Sequence, residues 1–206
     1  MTGPIGLEFS RPTPYGGAMS DEPSTRDRLV QTATRLFRQR GYDGTGLTEI
    51  LAEAGVPKGS LYHHFPEGKA DLACAAADWT ASEIIRVIDD SFRAAPNWRH
   101  GITTFCYKMA KLFDILESAD ACPIFGLLFE GPDHDRFRAQ AEQSFDRIIA
   151  AAARYGQVLG LSSEAAHDAA ETFIIGFQGS WTLARTRRKS DVLRNLPNRL
   201  YGPSPP

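Results

Sequence analysis

The chain has 206 residues, 42% hydrophobic and 23% charged, the balance of an ordinary globular protein able to bury a sizeable core. No uninterrupted apolar run approaches the roughly 20 residues needed to span a bilayer. The start lacks a basic, apolar, small-residue secretion signal, so the sequence reads as cytoplasmic. A net charge of −2 excludes indiscriminate nucleic-acid binding but not a small DNA-reading unit, whose affinity needs only local cations near phosphates.

Residues 1–23 hold Gly3, Pro4, Pro12, Pro14, Gly16, Gly17 and Pro23 without any apolar period. Such a segment cannot bury enough surface to offset its ordering entropy, so a disordered arm is expected. Arg11 is its one cation, a thin basis for a minor-groove role. Met19, just before the first periodic residues, is a second possible start of translation.

Beyond the arm the apolar period is helical throughout, with no strand alternation. Ser24 or Thr25 can cap a first helix that turns Leu29, Ala33, Leu36 and Phe37 to one side and stops at Gly41. A short helix over 47–54 points Ile50 and Leu51 inward, and another over 58–64 does the same with Leu61, followed by Phe65. Longer helices follow. One over 69–95 repeats Leu72, Ala76, Ile84, Ile88 and Phe92. The next, over 101–117, repeats Ile102, Phe105, Met109, Phe113 and Leu116. A short apolar stretch, 123–129, ends at Gly131-Pro132. Phe137, Ala141, Phe145, Ile148, Ala152, Tyr155 and Leu159 mark another long helix. Ser162 can cap one that runs to about Thr186, and a last helix covers 190–200 with Val192, Leu196 and Leu200. The prediction is an all-α fold of about nine helices, ending in a Pro-rich tail over 201–206.

Residues 46–65, GLTEILAEAGVPKGSLYHHF, meet the requirements of a helix-turn-helix. The turn needs a residue that accepts a positive φ, and Gly55 supplies it without steric cost. Ile50, Val56 and Leu61 can pack the inner faces of the two helices. Pro57 suits a helix start, where its missing N–H would be unpaired anyway. Lys58, Gly59, Ser60, Tyr62 and His63 are left facing outward at the start of the second helix. Gly59 lets backbone come close to DNA, and Lys58 can donate to a guanine edge or neutralise a phosphate. Ser60, Tyr62 and His63 suit phosphate oxygens, as does the free N–H array of a helix start. Thr48, opening the preceding helix, and Lys69, opening the following one, can hold flanking phosphates. The same residues also fit a solvated surface beside a plain helical turn. Charge does not decide the matter, since residues 24–72 carry seven Lys/Arg against six Asp/Glu.

FRQRGYDGTG (37–46) followed by AGVPKGSLYHHF (54–65) resembles the DNA-binding domain of the TetR family over about residues 24–84. PEGKADL (66–72) and Ala121-Cys122-Pro123-Ile124 are similar to segments of the LmrA-type branch, although Ala121 stands where that branch has Gly. Leu51 stands where most of the family has Ala. The resemblance implies an N-terminal three-helix DNA-binding domain over 24–84 and a ligand-binding and dimerisation domain over 85–200. It implies that Thr48, Lys58, Gly59, Ser60, Tyr62, His63 and Lys69 match DNA-contact positions. It further implies a ligand-responsive transcriptional regulator, by family habit a repressor. Its partners would be a second copy of itself, a palindromic double-stranded operator and a small-molecule effector, with no cofactor, metal or membrane.

In the second domain, Ala166, Ala170, Phe173, Phe177, Ser180 and Ala184 recur at spacings of four and three, a seam for another helix. Gly176 and Ser180 allow close approach. That seam is either core of one chain or, with the last helix, half of a four-helix bundle across a two-fold axis, and the resemblance favours the dimer. Phe105, Met109, Phe113, Phe125, Phe129, Phe173, Phe177 and Trp181, with Tyr107, offer enough aromatic and sulfur surface to line an apolar cavity. Few ionisable groups fall among them, so an apolar or aromatic effector is expected. The helix from Lys69 joins both domains and is the expected lever.

Other classes find little support. There is no phosphate-cradling glycine loop, nucleophile elbow or His-Glu metal helix, and Asp89-Asp90 and Asp133-Asp135 have no partners of matched spacing. Cys74, Cys106 and Cys122 lack disulfide or zinc spacing, and His63 and His64, adjacent on a helix, point about 100° apart rather than to one ion. An enzyme is therefore not expected. A redox sensor would lose its oxidant response in Cys122→Ser. A helical interaction module would be excluded by loss of DNA binding in Tyr62→Ala or Lys58→Ala with the fold intact.

Overall fold

The computed structural model describes residues 23–115 and 134–203. The readings made for 1–22, for Cys122 and for Phe125 and Phe129 in the 123–129 stretch lie outside those residues. Within them every regular element is a helix, as the apolar period predicts. None is long and apolar enough to cross a membrane.

Helix α1 spans Thr25–Arg40. It starts where Ser24 accepts a hydrogen bond from the Asp27 N–H at 3.1 Å and stops at Gly41, whose φ of 73° ends the helical run. Helices α2 (Leu47–Ala54) and α3 (Lys58–His64) are short, too short to persist alone, so packing must hold them. They rest on α1 through Ile50, Leu61 and Phe37, all essentially buried. Two ion pairs, Arg35–Glu53 and Arg40–Glu49, tie α1 to the outer side of α2. Both are half-exposed, so they set orientation more than they stabilise.

Helix α4 (Lys69–Phe92) is a long neighbour of that unit, packing on α1 and also on α5 (Trp98–Ile115) and α6 (His134–Val158). Its inner face is rich in small residues, Ala73, Ala76, Ala77 and Ala81, all buried, which lets neighbouring backbones approach closely. Asp71 near its start pairs with Arg136 of α6 and accepts the Glu67 N–H at 2.8 Å. Burial opposes ionisation of Asp71, but Arg136 and the Glu67 N–H outweigh it and hold the carboxyl below its ordinary range. About two turns later, Asp78 pairs with Arg147 of α6.

The C-terminal helices are α7 (Ser163–Arg187), α8 (Asp191–Arg194) and α9 (Leu196–Tyr201). Ser162 caps α7 as expected, accepting the Ala165 N–H. The last helix, expected unbroken over 190–200, divides at Asn195 because Pro197 has no N–H to bond the carbonyl of Leu193. Helix α5 starts earlier than expected, since Asn97 accepts the His100 N–H at 2.9 Å and caps it. Tyr201 to Pro203, read as tail, are tied to α5. Trp98 donates to the Tyr201 hydroxyl at 2.9 Å, and Arg99 donates to the carbonyl of Gly202 at 2.7 Å.

The small-residue seam of α7 is interior to one chain. Phe173, Phe177, Ser180 and Ala184 are buried there, Phe105 of α5 lies edge-on to both phenylalanines at 5.1 Å, and Gly176 receives Leu196 and Leu200 of α9. Helical spacing marks a packing face but not which helix fills it.

Gly101 of α5 faces the ring of Phe92, and a Cβ there would overlap it. Phe92 cannot retreat, being 4.9 Å from Trp98 and 5.6 Å from Tyr155 by ring centroids. Gly101→Ala is therefore expected to destabilise the fold by about 1–3 kcal/mol, the usual cost of overpacking, read as a lowered urea midpoint. An unchanged midpoint would show that the Phe92 layer can yield.

Candidate functional site

The turn between α2 and α3 is built as its sequence requires. Gly55 adopts φ 63°, ψ 38°, a left-handed conformation that costs a residue with a Cβ about 1–2 kcal/mol. Its N–H and that of Val56 bond back to the carbonyls of Ala52 and Leu51 at 3.3 and 3.0 Å. Val56 and Leu61 then fall into the core beside Ile50. With these three residues fixed inward, helical geometry dictates what is left outside.

Lys58, Gly59, Tyr62 and His63 are exposed, Ser60 is half-buried, and Thr48 is exposed at the start of α2. Tyr62 keeps 45% of its surface in solvent while its ring edge stands 3.5 Å from where a Cβ on Gly68 would lie. Gly68, at φ 66°, thus turns the chain into α4 beneath that ring. Lys69 differs from the others. It is half-buried, its ammonium 4.1 Å from the centroid of Tyr42, and burial lowers its pKa against the opposing pull of Asp43. The Tyr42 ring also meets Phe137 of α6 edge-on at 5.0 Å, a contact the sequence did not reveal because the partners are 95 positions apart.

A second feature lies where α1, α4, α5 and α7 meet. Trp79, Thr80, Glu83 and Val87 of α4 form one wall of a partly enclosed cavity of about 30 Å³, room for about two waters. Met109 and Leu112 of α5, and Phe177 and Trp181 of α7, form others, and Arg38 enters from α1. Of the aromatic and sulfur residues singled out in the sequence, Met109, Phe177 and Trp181 line this space. Phe105, Phe113 and Phe173 stand behind it in the core, and Tyr107 is exposed, stacked under Arg194 at 5.1 Å. The two charged residues, Arg38 and Glu83, were missed. A signal existed for Glu83, which falls on the apolar face of α4 at the spacing Ala76, Thr80, Glu83, Val87. Cys106 is fully buried, its thiol pKa pushed up to about 12 by burial, so it is inert. Among the described residues no group of three or more His, Cys, Asp or Glu can hold a metal ion.

Residues 29–76 match the family model of bacterial regulatory proteins of the tetR family, and residues 99–198 match that of the LmrA/YxaF-like transcriptional regulator C-terminal domain. An HTH-type transcriptional regulator of Mycobacterium tuberculosis, Rv0196, is 31% identical over 172 residues, 79% of this chain and 85% of that protein. The chain belongs to the TetR family. Within it, the LmrA/YxaF-like branch is supported by the HTH-type transcriptional regulator LmrA of Bacillus subtilis, 40% identical over 104 residues, which are 50% of this chain. That match spans about half of the relative, 55% of its length. The reduced form of NemR from Escherichia coli shares the fold, with a TM-score of 0.73 at 23% identity over 88% of this chain and all of that one. This TetR-family chain thus carries the family's helix-turn-helix domain over residues 29–76.

At Gly59 the demands of folding and of any DNA contact can be tested apart. A Cβ built there meets nothing within 4 Å, and alanine favours a helix by about 0.8–1.0 kcal/mol over glycine. Gly59→Ala should leave the free protein as stable or slightly more so, while DNA affinity falls because backbone can no longer approach. A denaturant midpoint and a binding isotherm on the same preparation read the two effects separately. Unimpaired DNA binding would remove the backbone of Gly59 from the interface.

Proposed function

We propose that this regulator is a ligand-responsive repressor that binds a palindromic operator as a homodimer and leaves it when a small, largely apolar effector enters the larger domain. The observation that carries the DNA reading is the segregation on α3, where Leu61 is wholly buried while Lys58, Gly59, Tyr62 and His63 are exposed. Lys58 and Gly59 read the major groove. Thr48, Ser60, Tyr62, His63 and Lys69 hold phosphates, Lys69 by leaving the Tyr42 ring. Such a role places the protein with the DNA, in the cytoplasm.

The dimer reading rests on the outer face of α7, opposite the filled seam. Ile175 and Leu183 are 68% and 44% exposed there, flanking the exposed Thr172 and Gly179, so a second copy can lie close along this stripe. A two-fold dimer then requires a two-fold site with fixed half-site spacing.

Release follows from the size of the cavity. Pockets for drug-sized ligands measure about 300–1,000 Å³, far above the 30 Å³ now open. Packed walls do not compress, so an effector must part them, and two of those walls are α1 and α4. Any arrangement that the effector prefers is thereby paid back as a changed setting of the reading helices.

A salt-titrated binding assay with the DNA upstream of the protein's own gene, against scrambled DNA of equal length, tests this. Tight binding to one palindromic segment is expected, weakening steeply with salt, and losing about 1–3 kcal/mol in Lys58→Ala if the lysine reads a guanine. Equal, weak binding of both DNAs, followed by a genome-wide pull-down that enriches no segment, would contradict it.

A further inference from the structure

The cavity carries more chemistry than an apolar effector needs. Glu83 is 8% exposed, and among the described residues it is the one carboxylate lining that space. An ionised carboxylate so placed requires a counter-charge, and its partner is Arg86, one turn along the same helix. Arg86 keeps 38% of its side chain in solvent, so it can swing into water at little cost and leave Glu83 to another cation. A carboxylate offers about four acceptor positions, more than that single pair uses.

A second group points to a ligand from another wall of the cavity, on α7. Trp181 is 3% exposed, and its indole N–H is buried without a hydrogen-bond partner. A buried donor left unpaired costs about 1–3 kcal/mol, which an acceptor atom arriving in the cavity would recover. Trp79, Met109 and Phe177 line the same space. Aromatic faces and a polarisable sulfur beside a carboxylate suit an alkylammonium, which gains both the ion pair and cation–π attraction. Arg38 also reaches the space, but its side chain already has interactions of its own.

We propose that the effector is a lipophilic amine bearing an acceptor oxygen, its ammonium on Glu83, its oxygen on the Trp181 N–H, and its apolar body against Trp79, Met109 and Phe177. This assignment rests on the cavity being the effector site. Glu83 then selects the sign of the charge and Trp181 the polar substituent, while the aromatic walls admit varied skeletons.

Three near-isosteric probes test it on the full-length protein: 2-phenoxyethylammonium, 2-phenoxyethanol and phenoxyacetate. Trp79 and Trp181 report occupancy through fluorescence excited at a wavelength the probes do not absorb, with Trp98, bonded to Tyr201, as a constant background. The ammonium is expected to bind at least tenfold more tightly than the alcohol, and phenoxyacetate least of all. Glu83→Gln should erase the preference for the ammonium and leave the alcohol unchanged, while Glu83→Asp retains part of it. Replacing the ether oxygen by methylene, in 3-phenylpropylammonium, should weaken binding to the wild type but not to Trp181→Phe. Equal binding of the ammonium and the alcohol by the wild-type protein would overturn the charge assignment while leaving the cavity as a site. No saturable change with any probe would overturn the cavity as well, and the DNA-binding assay would stand independently of both.

Discussion

Helix α4 belongs to two bodies at once, and the rest of the molecule depends on that. At its start, Lys69 lies over Tyr42 and Asp71 is held by Arg136. At its end, Phe92 is clamped among Gly101, Trp98 and Tyr155. Between them an uninterrupted buried face runs from Leu72 to Phe92. Apolar burial on this scale, worth about 25 cal/mol per Å² removed from water, leaves α4 no position that satisfies one neighbour and abandons another. The short helices α2 and α3 inherit their orientation from it, through α1.

A shared wall follows. Arg38 belongs to the helix that carries the reading unit, yet it borders the same cavity as Glu83, Met109 and Trp181. The sequence suggests a lever running along α4. The structure adds a shorter path, in which whatever fills the cavity meets α1 itself. Polar contacts flank this path rather than bridge it. Arg136 of α6 pairs with Asp71 of α4, and Arg147 pairs with Asp78 of α4 while donating to Ser82. Such pairs can exchange partners more readily than buried rings can be repacked, so the movement is expected to slide along α6 and part at the cavity.

Local chemistry was legible in the sequence, and long-range placement was not. Ser24, Gly41, Gly55 and Ser162 each announce a helix end through a property of one residue, and each acts as that property requires. The outward set on α3 could be read because three inward residues, Ile50, Val56 and Leu61, fix a rotation shared by the whole short helix. By contrast, the periodicity of Phe173, Phe177 and Ser180 was visible while their partner was not, since a seam looks alike whether its own chain or a copy fills it. The cavity was only partly foreseen for the same reason. Its lining comes from four helices, and Arg38 and Glu83 enter it through tertiary packing that no local pattern encodes. Asn97 escaped notice because it precedes α5 without the apolar repeat that marks the helix body.

The claim that filling the cavity is felt by the reading helices can be tested without any effector. Thr80 is buried on the cavity wall, its hydroxyl donating to the Ala76 carbonyl of its own helix at 2.9 Å. Thr80→Val keeps its volume, and Thr80→Leu adds to it and pushes toward Arg38 and α5. DNA affinity of both variants at one fixed salt concentration, with helical content checked by circular dichroism, is the measurement. The account predicts that Thr80→Val binds like the wild type and Thr80→Leu at least tenfold more weakly, with the same helical content. Equal affinity of two well-folded variants would contradict it.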